Sequence, residues 1–137
     1  ERQARAAATD PARLESAVAA SLGDADRDVF EQLDPVERSY LLRELGEATR
    51  QGSAGPVEDM RLLRAPWGFG PPDVGVPVAL WHGEADEVMP LAMGGWLAAM
   101  LPDVDAHFEP GLGHLGTVVA HREDALAQLL GPASPDA

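Results

Sequence analysis

The distribution of apolar and polar positions changes character about halfway along the chain. Up to residue 64 apolar side chains recur at helical spacing. Leu41, Leu45 and Ala48, widened by Leu42, form one stripe, while Glu37, Arg43, Glu44, Glu47 and Arg50 supply a wet face. Punctuation falls where helices need it. Asp10-Pro11 suits an N-cap followed by proline at the first helical position, with Gly23 ending that helix. Asp34-Pro35-Val36-Glu37 makes another start, its acidic residue spaced as in a capping box, and Gly52 closes it. Between them Asp24-Ala25-Asp26-Arg27-Asp28 reads as an acidic helix start whose charge complements the helix dipole. After a small-residue break at 51–56, residues 57–64 predict one further short helix. Ala65-Pro66-Trp67-Gly68-Phe69-Gly70-Pro71-Pro72 then marks a linker, and the chain divides into a helical region, 1–66, and a sheet-bearing region, 67–137.

Beyond the linker, apolar runs alternate with helical patterns, which implies parallel strands and an α/β class. Residues 76–82, Val-Pro-Val-Ala-Leu-Trp-His, are apolar on both faces, as an interior strand covered on both sides tends to be. Residues 89–101 predict the crossover helix, with Leu91, Gly94, Ala98 and Leu101 on one stripe and Pro102 marking its end. Gly94 and Gly95 permit close approach to the sheet at a cost in helix propensity. Residues 105–109 alternate Asp105, His107 and Glu109 against Ala106 and Phe108, which suits an edge strand with one wetter face. Residues 117–130 predict a closing helix with Val118, Ala125, Leu126 and Leu129 toward the sheet, before a Gly-Pro-Ala-Ser-Pro tail that should fray.

Composition narrows the classes of partner. A compact domain of 137 residues buries roughly two-thirds of its unfolded surface, so length alone permits independent folding. The net charge of −13, and ten basic residues that are all Arg and form no run, exclude a phosphate-tracking surface and with it nucleic-acid binding. No apolar run approaches the roughly 18 residues of a membrane span, and no secretory signal core opens the chain, so a soluble, cytoplasmic protein is the default expectation. Without cysteine, disulfides, thiolate metal sites and cysteine nucleophiles drop out. The first residue is Glu1 rather than Met, which reads as a chain that is trimmed, processed or begun inside a longer product.

The candidate chemistry lies in two loops. Asp86 follows the strand at 76–82 through a turn opened by Gly83, and His114 follows the strand at 105–109 through Gly111-Leu112-Gly113. Their separation of 28 residues leaves room for a helix and a strand between them, so both can emerge at one edge of a parallel sheet. A carboxylate hydrogen-bonded to one imidazole nitrogen fixes the tautomer and stabilises the imidazolium that forms when the other nitrogen takes a proton. The glycines are expected to adopt positive φ and hold the ring over the sheet edge. His82, at an apolar strand end, reads as a packed or hydrogen-bonded histidine, His107 and His121 as surface residues. Trp81 and Trp96 read as packing residues, and Trp67 at the linker as a candidate pocket wall.

Three motifs fail on context. Gly111-Leu-Gly-His-Leu-Gly116 matches G-x-G-x-x-G, but no later strand carries an acidic residue for a ribose. Asp24-Ala-Asp26-Arg-Asp28 starts like a calcium loop, yet Val29 replaces the needed glycine and Pro35 the final ligand. Gln51-Gly52-Ser53-Ala54-Gly55 imitates a nucleophile elbow, but a helix rather than a strand precedes it. No cofactor or metal is implied.

Residues from about 57 to 130 resemble bacterial α/β-hydrolases. The resemblance rests on Pro66-Trp67-Gly68-Phe69, on the acid-strand pattern Pro-Val-x-Leu-Trp-His-Gly-x-x-Asp-x-x-x-Pro from Pro77 to Pro90, and on Gly111-Leu112-Gly113-His114. It implies the C-terminal part of that fold: a helical cap or lid followed by two parallel strands with covering helices, Asp86 as triad acid and His114 as general base. The nucleophile elbow and the oxyanion hole have no counterpart in the sequence. The implied activity is therefore hydrolysis of a small ester-like substrate through an acyl-enzyme, in partnership with an upstream N-terminal half that carries the nucleophile. An Asp nucleophile, as in dehalogenases or epoxide hydrolases, keeps the same fold and remains an alternative. A non-catalytic acidic interaction domain is another. Without its neighbour the strand at 76–82 would leave an open edge that invites self-association.

Overall fold

The computed structural model describes residues 10–130. Glu1 and the predicted fraying tail lie outside the described residues. Six α-helices and two strands follow in order among them: α1 Pro11–Ser21, α2 Asp24–Gln32, α3 Pro35–Ala48, α4 Ala54–Leu63, β1 Val78–Gly83, α5 Leu91–Met100, β2 Val104–Glu109 and α6 His114–Leu130, with a 3-10 turn at Pro71–Asp73. The chain is thus mixed α/β with one parallel strand pair. It forms two compact units, one of residues up to Leu22 with Arg27–Gly68, the other of Gly23–Asp26 with Phe69 onward.

In the helical unit the caps do what their residue types suggest. The Asp10 carboxylate accepts from the N–H of Ala12 (3.1 Å) and of Arg13 (3.4 Å), and Asp34 from Val36 (2.8 Å). Helix α4 begins at Ala54, three residues before the predicted start, with Ser53 as N-cap. Phe30, 2 % exposed, and Leu33 form the buried core. Arg38 organises its surroundings. Its guanidinium pairs with Glu15 on α1 (3.2 Å), stacks over the Phe30 ring and donates to the carbonyls of Glu31 and Leu33. The predicted α3 stripe is rotated as a result. Leu41, Leu42, Gly46 and Thr49 are half-buried together with Glu37 and Arg38, while Leu45 and Ala48 are exposed, because the Arg38 contacts set which side of the helix turns inward.

The second unit is a β-α-β-α run. Parallel strands need a crossover, and α5 provides it. The strands pair from Val78 against Val104 to Gly83 against Glu109. Gly94, buried in α5, lies under the His82 imidazole: a Cβ there would stand 2.7 Å from its Nδ1, so glycine permits the close approach foreseen from the sequence. Gly95 has nothing within 4 Å. Among the described residues β1 pairs with β2 alone, so the interior strand expected from its apolar faces is an edge strand here. Helix α6 starts at His114, three residues before the predicted start. It turns Thr117, His121 and Ala125 inward rather than Val118, Leu126 and Leu129, which are exposed. Two contacts set that rotation: Trp81 stacks on His121 (centroids 5.7 Å apart), and Thr117 lies against Gly83.

Candidate functional site

Parallel pairing puts the C-terminal ends of β1 and β2 side by side, and the loops leaving them are laced together. Glu84 N–H donates to the Glu109 carbonyl (3.0 Å), and Ala85 N–H to that of Leu112 (2.9 Å). This close seam explains Gly83, where any Cβ would collide with the Leu112 carbonyl and the Thr117 hydroxyl. The expectation of positive φ at Gly83 and Gly113 is corrected here, since in this loop pair only Gly111 has it (φ 78°). The other two are glycines because neighbours leave no room for a side chain.

The lacing brings Asp86 and His114 together. The Asp86 side chain is 5 % exposed, and its Oδ2 stands 2.9 Å from His114 Nδ1. Its Oδ1 accepts from the N–H groups of Val88 and Met89, both at 2.8 Å, so the turn holds the carboxylate from behind. Burial, the largest single influence on this carboxyl, opposes ionisation. The Met89 N–H, the His114 imidazole and the Val88 N–H together outweigh it and hold its pKa below the ordinary carboxylate value. An ionised Asp86 can only accept, so His114 donates from Nδ1, and in the neutral ring the lone pair lies on Nε2. The His114 ring is half exposed.

An apolar groove of about 580 Å³ opens beside the pair, lined by β1, by Met89, Met93, Trp96 and Leu97, and by Val118. All of its lining residues belong to the second unit. Trp67 belongs to the helical unit, where its indole N–H donates to the Leu62 carbonyl (3.0 Å). Of the other histidines, His82 donates from Nε2 to the Met89 carbonyl (3.0 Å) and so is a hydrogen-bonded strand-end residue. His107 and His121, read as surface residues, both stack on Trp81 with centroids 5.7 Å from the indole, His107 staying partly exposed and His121 mostly covered. The apolar strand needs its Trp81 face covered, and these rings cover it.

Sequence reasoning missed Asp26. This carboxylate, 4 % exposed, accepts from the N–H of His114 (2.9 Å) and of Gly116 (3.0 Å), so it caps helix α6 from 88 and 90 residues away. The residue preceding α6 is Gly113, which has no side chain to do this. That bare start was the only local signal, and nothing local names the partner. The same contact removes the phosphate reading of Gly111–Gly116, because the amides a phosphate would use already hold a protein carboxylate. Among the described residues no group of three or more His, Asp or Glu side chains is arranged to hold a metal ion. No helix among them is long and apolar enough to cross a membrane. Comparison with family models, with curated proteins and with solved structures returns no significant match to this chain.

Proposed function

We propose that this chain carries the acid and general base of an α/β-hydrolase-type site acting on a small ester-like substrate, with the nucleophile and oxyanion hole supplied by polypeptide outside these 137 residues. The observation that carries the reading is the 2.9 Å bond between Asp86 Oδ2 and His114 Nδ1 beneath a half-exposed ring. That polarity leaves Nε2 as the base. It would take the proton of a nucleophilic hydroxyl as the oxygen attacks the ester carbonyl, and Asp86 would stabilise the imidazolium formed. Collapse of the tetrahedral species would break the bond to the leaving alcohol, which receives the proton from Nε2. Water would then repeat the cycle on the acyl group, releasing the acid and restoring the nucleophile. His82 is unsuited to the part, since its Nε2 is engaged with a carbonyl.

The edge of β1 that has no strand beside it among the described residues, and the apolar groove next to it, suit a further parallel strand from the polypeptide that would carry the nucleophile. On the same reading the helical unit is the cap of the hydrolase. The test is hydrolysis of a chromogenic ester by this chain alone and by the chain joined to the polypeptide encoded upstream of it. The chain alone should show no turnover above buffer, and the joined protein turnover that His114→Ala abolishes. Turnover by the chain alone, or turnover of the joined protein indifferent to His114→Ala, would overturn the reading.

A further inference from the structure

We infer that Asp26 is a positioning residue for His114, acting through the first turn of helix α6; the inference rests on the proposed role of His114 as general base. The helix begins on the imidazole-bearing residue itself, so the orientation of that first turn sets the direction in which the His114 side chain leaves the backbone. A helix start leaves its first amides without intrahelical partners, and a side-chain cap ordinarily satisfies some of them. Here the preceding residue is Gly113, and Asp26 serves from another part of the chain, one oxygen on the His114 N–H and the other on the Gly116 N–H.

The arrangement is built rather than incidental. Asp26 is 4 % exposed, Gly113 and Gly116 are buried, and a Cβ on Gly113 would run into the Asp26 carboxylate. A buried carboxylate bridging two amides of one turn resists tilting of that turn, because tilting would lengthen at least one charge-assisted bond. The His114 backbone is therefore tied to Asp26 while its ring is tied to Asp86. Two carboxylates hold one residue at two points, and only the second touches the ring.

Proton NMR of the full chain tests this without any turnover. The low-field Nδ1–H resonance of His114 reports the bond to Asp86, Asp86→Asn identifies it by its loss, and amide exchange reports the cap. In Asp26→Ala we expect faster exchange at His114 and Gly116, with the low-field resonance broadened or lost while the amides of the β1–β2 ladder keep their protection. Asp26→Asn, which keeps one acceptor oxygen and puts an NH2 where the other stood, should give an intermediate resonance and serves if the alanine variant does not fold. A folded Asp26→Asn protein whose Nδ1–H signal matches the wild type overturns the positioning role, even if His114 proves to be the base. No low-field resonance in the wild-type chain would remove the Asp86–His114 pairing, and this inference together with it.

Discussion

Asp86 and His114 stood out in the sequence through the hydrolase-like patterns around them, Pro77 to Pro90 and Gly111 to His114, because an aspartate in a turn or a histidine after a glycine has many ordinary uses by itself. Their pairing carries a pH signature. Asp86 has a folded-state pKa below its unfolded value, so its contribution to stability is fully present above the unfolded value near 3.8 and is lost as pH falls through the lower folded one. Acid unfolding followed by circular dichroism should therefore flatten in Asp86→Asn over the range below about pH 4. In the joined protein the same substitution keeps the acceptor for Val88 and Met89 but favours the wrong imidazole tautomer. It should lower kcat by about 10⁴, the size of effect known for this change in a serine-protease triad. Asp26 was not recognisable, since an acidic residue in the first turn of α2 is fully explained by its own helix. Asp26→Ala leaves two amides of α6 without their acceptor and should cost about 2 kcal/mol, read as a lower urea midpoint at constant slope.

Helices and strands were legible to within a few residues wherever the sequence supplies a cap or a breaker, as at Asp10-Pro11, Asp34-Pro35 and Pro102. Helix α6 was placed three residues late because its true start, Gly113-His114-Leu115, contains no capping side chain. The rotation of α3 and α6 was misread for a related reason. Periodicity tells which residues could share a face, but the Arg38 contacts in one case and the Trp81 stack in the other decide which face turns in. Helix α5 offers a controlled pair. Gly95→Ala meets nothing and should stabilise by up to about 1 kcal/mol through helix propensity alone. Gly94→Ala drives a methyl group into the His82 ring and should instead destabilise by about 1–3 kcal/mol, with thermal unfolding of both variants as the measurement.

For the molecule as a whole, the open edge of β1 and the net charge of −13 oppose each other. Among the described residues that edge has no neighbouring strand and is flanked by exposed Met93, Trp96 and Val118, while like charge keeps copies apart at low ionic strength. Sedimentation velocity should therefore show self-association that grows when salt is raised from about 20 mM to 500 mM, where the Debye length shrinks below about 10 Å. A monomer unchanged across that range would mean the edge is not sticky. The order of helices and strands and the parallel sense of the pair could be derived from the linear order of residues, because caps, breakers and crossover length act over a few positions. The bond between Asp86 and His114 Nδ1, the rotation of the covering helices and the capping of α6 by Asp26 were decided only in three dimensions. Each depends on a contact between groups far apart along the chain, and no local preference of either partner specifies the other.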